Sequence, residues 1–127
     1  MRKNLGLIIF FGIILVFVGL FVFQIKKEKE LLKSVEGKMI FFYGITCPHC
    51  AKVEEFFKEN GIDSKFQFEK KEVYENKNNA KILILIAKKK CSLPDDKIGV
   101  PFFWTGENCI VGDEPIINYF KEKISLK

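Results

Sequence analysis

The sequence predicts an α/β domain of element order β-α-β-α-β-β-α, placed behind an N-terminal transmembrane helix. Three observations carry that expectation. Residues 5–23 are all apolar or Gly, with no charge and no hydroxyl. After residue 37, short apolar runs suited to buried strands alternate with helix-patterned stretches. Two cysteines, Cys47 and Cys50, are spaced C-x-x-C where the first such strand gives way to the first such helix. The chain has 127 residues, room for one domain beyond the apolar segment.

Composition narrows the function classes. Apolar residues make up 48% and aromatic residues 14%, too many for a disordered chain. All 16 acidic residues and 19 of the 21 basic ones follow the apolar segment, so the remainder carries only +3 of the formal +5. That is a weak field, and no nucleic-acid partner is expected.

The 19 residues at 5–23, with Gln24 and Ile25 behind them, span roughly 30 Å at about 1.5 Å per helical residue, the thickness of the hydrocarbon core. A cleaved signal peptide would have a shorter apolar core and a small-x-small site; Val22, Phe23, Gln24, Ile25 and Lys26 offer none. Residues 1–25 therefore read as a tail and an uncleaved signal anchor. Gly6, Gly12 and Gly19 are not spaced as a helix-dimer motif. Arg2 and Lys3 flank one side; Lys26, Lys27, Lys29, Lys33 and Lys38 flank the other, among Glu28, Glu30 and Glu36. Counted by lysine and arginine, this favours a cytoplasmic domain. The cysteine chemistry argues for the opposite orientation.

Residues 26–37 read as a charged stalk, helical or linking, and 38–127 as the soluble domain. The run at 38–43 reads as a buried strand. A helix is expected from Pro48 to Asn60: Ala51, Val53, Phe56 and Phe57 share a face, Pro48 suits the first turn, and Gly61 suits a C-cap. Residues 65–73 read as a second strand through Phe66, Phe68 and Val73, with Glu69, Lys70, Lys71 and Glu72 solvated. Residues 76–90 contain a β-branched apolar run, but Asn78 or Asn79 as cap and Lys88, Lys89 and Lys90 at the end argue for a helix. Strands are expected at 100–105 and 109–111 around a turn at 106–108. Asp113 is the expected cap of a last helix running to about Ile124, with Pro115 in its first turn and Ile116, Ile117 and Phe120 inward.

The strongest chemical signal is Cys47, Pro48, His49, Cys50 at that strand–helix junction. A cysteine at a helix start meets free backbone N–H groups and the positive end of the dipole, which stabilise a thiolate. Cys47 reads as the exposed nucleophile. Cys50, a turn later, reads as the shielded resolving thiol. His49, the one histidine of the chain, can add positive charge or a hydrogen bond.

These residues resemble the thioredoxin superfamily and, in element order, a glutaredoxin-type domain. Phe42, Tyr43, Gly44, Ile45 and Thr46 before the motif, and Gly99, Val100 and Pro101 downstream, are similar to its oxidoreductases; Gly106, Val111, Gly112 and Asp113 are a weaker match. The resemblance covers residues 38–124. It implies a mixed four-stranded sheet flanked by helices, a cis-proline at Pro101 facing the C-x-x-C, and Val100 and Pro101 as the substrate-chain contact. It also implies thiol–disulfide exchange through the protein's own redox-active disulfide, with no separate cofactor or metal. The Pro-His dipeptide resembles strongly oxidising disulfide oxidoreductases, although this chain has no room for their inserted helical domain. The double-glycine glutathione signature is reduced to one Gly.

The four cysteines are spaced C-x2-C-x40-C-x17-C, and the second pair lacks the close spacing of a structural zinc site. A metal- or haem-handling chaperone using Cys47 and Cys50 is an alternative class. Cys91 and Cys109 are open between a structural disulfide, a second redox pair and two unrelated buried thiols; a staple at the sheet end away from Cys47 is the expected form. The expectation is thus a membrane-tethered thiol–disulfide oxidoreductase, oxidising in direction, with an exported thiol reductase as the alternative. Its partners would be protein thiols and disulfides and a membrane redox partner. Disulfide traffic is sustained outside the cytoplasm, which places residues 26–127 on the exported face of a single-pass protein.

Overall fold

A computed structural model describes residues 2–126. Met1 and Lys127, where the expected tail and domain bounds fall, lie outside the described residues, as does the Arg2 side chain. The chain divides into two compact units, residues 1–34 and 35–127.

The first unit is helical. Helix α1 (Arg2–Val35) runs through the apolar segment and on through the charged stretch. Its mean hydropathy reaches 3.1 over its most apolar window, and the side chains there are exposed. By length and composition this helix can cross a membrane. No polar kink or proline interrupts the sequence at Gln24, so the helix continues into the lysine- and glutamate-rich turns.

The second unit holds a four-stranded mixed sheet of order β2-β1-β3-β4. Strand β1 (Ile40–Tyr43) pairs parallel with β2 (Glu69–Glu72) and antiparallel with β3 (Phe102–Trp104), which pairs antiparallel with β4 (Cys109–Val111). This is the expected sheet. Side chains alternate across it. Phe41 and Phe103 face a core formed with Val53, Phe57, Ile62, Ile116 and Phe120, all fully buried. Ile40, Phe42, Phe102 and Trp104 lie on the other face and are equally buried. Helix α4 (Lys77–Lys89) adds the buried Leu83, Ile86 and Ala87. The indole of Trp104 donates to the Val35 carbonyl at 3.0 Å, satisfying its one buried polar group.

Helix α2 (Pro48–Asn60) ends at Gly61, whose φ of 61° is the left-handed conformation a C-cap needs. A short helix α3 (Ile62–Lys65) follows, and Phe66 and Phe68 pack against the core. The strand expected over 65–73 is therefore shorter. It is the charged quartet itself that pairs, because an edge strand needs ladder bonds on one side only and its charges discourage further pairing. Helix α4 is capped by Asn76, whose side chain accepts from the N–H groups of Asn78 and Asn79. Those two asparagines were the expected caps; the cap sits two or three residues earlier because the helix begins at Lys77. A 3-10 turn (Asp95–Lys97) interrupts the segment before Pro101. Helix α5 (Asp113–Ser125) starts after Gly112, with φ 97°. Asp113 is its first residue rather than its cap.

Candidate functional site

Strand β1 ends at Tyr43 and aims the chain at the start of α2. In between, Gly44 packs against the ring of Tyr74, leaving no room for a Cβ. The Cys47 N–H donates to the Gly44 carbonyl at 3.1 Å, closing a tight turn. Cys47 is then the N-cap of α2, with extended φ and ψ of −88° and 111°, and Pro48 opens the helix where its missing N–H costs nothing.

Cys47 and Cys50 are joined as a disulfide with Cα atoms 5.2 Å apart. The Cys50 N–H reaches Cys47 Sγ at 3.1 Å, so the helix start serves the first sulfur. Both are buried: Cys47 is 7% exposed and Cys50 1%. The expected contrast between an open and a shielded thiol is thus one of degree in the bonded state. The Val100 carbonyl lies 3.7 Å from Cys47 Sγ. The Val100–Pro101 peptide is cis. Pro101 is buried and its carbonyl accepts the Gly112 N–H at 2.9 Å, while Val100 is half-buried. Cys47, Cys50 and Val100 thus meet where β1, α2 and β3 converge, with Pro48 and His49 in the first turn of α2 and Pro101 beside Val100 in the chain.

His49 does not bond a cysteine. Its Nδ1 lies 2.9 Å from Asp113 Oδ2 on α5. Lys52 Nζ stands 3.5 Å from the same oxygen. The His49 hydrogen bond holds the Asp113 carboxyl below its ordinary range; partial burial works against this, and the backbone N–H groups of Glu114 and Asp113 work with it. A second carboxylate braces the loop before the motif. Glu72, at the end of β2, accepts from the N–H groups of Tyr74 at 2.7 Å, Glu75 at 2.9 Å, Asn76 at 3.2 Å and Ile45 at 3.3 Å. Desolvation pushes its carboxyl up, but these donors outweigh it and hold it below 4.5.

Asp113 and Glu72 were not legible as site residues. Asp113 read as a helix cap, and Glu72 as one of four solvated charges. Only the fold brings Asp113 to His49, 64 residues away. Cys91 and Cys109 are bonded, with Cα atoms 6.2 Å apart. Cys109 pairs with Trp104, which pairs with Ile40 at the start of β1, so this bond lies at the sheet end away from the motif. Among the described residues no group of three His, Cys, Asp or Glu side chains is arranged to hold a metal.

Comparison with solved structures places this architecture. The chain is similar to wheat glutaredoxin, at 21% identity over 76% of this chain and 80% of that one, with a TM-score of 0.50. It is similar to the holo form of glutaredoxin C1 from Populus tremula x tremuloides, at 20% identity over 80% and 89%, with a TM-score of 0.50. It is also similar to the buckwheat glutaredoxin–glutathione complex, at 16% identity over 77% and 86%, with a TM-score of 0.53. At these identities the likeness shows the fold. No family model matches the sequence, and no curated protein matches it.

Proposed function

We propose that this chain, with its glutaredoxin-like fold, is a membrane-tethered thiol–disulfide oxidoreductase that passes the Cys47–Cys50 disulfide to exported proteins. The observation that carries the reading is the Cys50 N–H on Cys47 Sγ at the N-terminus of α2, beside the Val100 carbonyl. Donors at a helix start stabilise negative charge on that sulfur.

A client thiolate attacks Cys47 Sγ and forms a mixed disulfide; the S–S bond breaks and Cys50 leaves as a thiolate that takes a proton. A second client thiolate then attacks the client sulfur of the mixed disulfide. Cys47 leaves as a thiolate, the client holds a new disulfide, and two electrons have passed to this protein. Stabilising the Cys47 thiolate favours that second step and makes the disulfide the stronger oxidant. Val100 and Pro101 flank Cys47 and receive the client backbone, Val100 from its half-exposed side. A membrane redox partner reoxidises the pair. Helix α1 supplies the tether, and the domain lies on the exported face, where disulfides persist.

The test is catalysis by the full chain in detergent. A reduced, unfolded protein with two cysteines should become oxidised with one equivalent of disulfide consumed per bond formed. Protease added to spheroplasts should cut the domain. No transfer to the client refutes the activity; full protection beside a digested exported marker refutes the orientation.

A further inference from the structure

His49 is the one histidine of the chain, and the exchange steps leave its bond to Asp113 unused. The His49 side chain is 64% exposed and that of Asp113 only 18%. The carboxylate is therefore the fixed member, and without it the ring is free to turn in solvent. The backbone just before Asp113 is tied to the site: the Gly112 N–H donates to the Pro101 carbonyl at 2.9 Å. The charges facing the ring are Lys52 on α2 and Asp113 on α5. Reduction of the disulfide adds a third, a thiolate at Cys47, two residues before His49.

We propose that Asp113 is a positioning residue for the Cys47–Cys50 couple, acting through His49: its carboxylate anchors the imidazole in the first turn of α2, two residues from Cys47, where the ring's positive charge or N–H can serve the Cys47 thiolate. This rests on the reading of Cys47 and Cys50 as a redox couple. A cationic ring near Cys47 stabilises the thiolate and hence the reduced protein, and the coupling runs equally in both directions. The carboxylate also repels the thiolate directly. The two routes have opposite signs, so removing His49 separates them.

The experiment equilibrates the full chain in detergent with reduced and oxidised glutathione at fixed pH. Protein dithiol and glutathione disulfide give protein disulfide and two glutathiones, so two electrons and two protons leave the protein. The fraction oxidised is read by alkylating Cys47 and Cys50. Near neutral pH, Asp113→Asn should shift this equilibrium toward the protein disulfide by about two- to fivefold, the range of a solvent-exposed ion pair. The shift should shrink at alkaline pH, where an imidazole carries no positive charge. Asp113→Glu should recover much of the wild-type value. In a His49→Ala background, Asp113→Asn should have no effect or a small one of opposite sign. An unchanged equilibrium in Asp113→Asn, or an equal shift with and without His49, overturns the inference. If the wild-type pair does not equilibrate with glutathione at all, the redox reading fails first and the inference falls with it.

Discussion

The Cys50 amide lies 3.1 Å from the Cys47 sulfur, so the first turn of α2 is aimed at one member of the pair and not at the other. That asymmetry supports the proposed roles. A sulfur that a helix start can stabilise as a thiolate is the better leaving group in the mixed disulfide, which fits the proposal of Cys47 as the nucleophile and Cys50, behind it, as the resolving thiol.

The two cysteines should therefore fail differently. Cys47→Ser should reduce exchange to the uncatalysed rate. Cys50→Ser has no disulfide to pass on, but its Cys47 thiolate should attack the disulfide of an oxidised client, whose second sulfur leaves as a thiolate; with no Cys50 to resolve them, mixed disulfides should accumulate, visible as reducible adducts by mass spectrometry. Trapping by Cys47→Ser instead would reverse the assignment.

Glu72 predicts an acid limb of stability. Its carboxyl is held below 4.5 in the folded protein, because four backbone N–H groups outweigh desolvation. A group with a lowered folded value stabilises fully above its unfolded value and loses that contribution as pH falls through the folded one. Denaturant midpoints should therefore drop as pH is lowered from about 5 toward 3. Glu72→Gln should flatten that part of the drop, and should loosen the loop that carries Ile45 toward the motif. An acid limb identical in wild type and variant would contradict this.

Phe120 is the most connected ring of the core. It is fully buried, and its centroid lies 5.0 Å from Phe57, 5.0 Å from Phe103, 5.2 Å from Tyr119 and 5.4 Å from Phe66. Phe120→Ala should cost about 3–5 kcal/mol, the usual range for deleting a buried aromatic. Urea unfolding followed by Trp104 fluorescence measures it. A loss under about 1 kcal/mol would mean that the site is looser than its contacts imply.

What sequence made legible here follows the range of the signals. Helix α2 is bounded by Pro48 and Gly61, both local punctuation, and its limits are as expected. Strand β4 follows a turn marked by Gly106 and is as expected too. Strand β2 lies within the expected 65–73 but is shorter, because apolar Phe66 and Phe68 mimic strand residues while the residues that pair are charged. Their pairing comes from β1 offering an open edge, a tertiary fact. The contact of His49 with Asp113 and the ties from Glu72 to Ile45 are likewise products of folding. No local periodicity encodes them.

Cys91 and Cys109, 18 residues apart, join the turn just after α4 to the edge strand β4. In the chain-entropy model a loop of this size contributes on the order of 3 kcal/mol by restricting the unfolded state. Replacing both by Ser should lower stability by about that amount and leave exchange through Cys47 intact. Graded reduction followed by alkylation and mass spectrometry should open Cys47–Cys50 first. If 91 and 109 are reduced first, or if their loss abolishes exchange, they are part of the redox relay and not a staple.

The most direct test is the reduction potential of the Cys47–Cys50 couple in the full chain, read by alkylation across a series of glutathione buffers. A reversible two-electron transition is expected, with a midpoint less negative than about −200 mV, on the oxidising side of the glutaredoxins. A midpoint near that of thioredoxin, about −270 mV, would contradict the oxidising role, and a pair that shows no reversible transition would contradict the redox function itself.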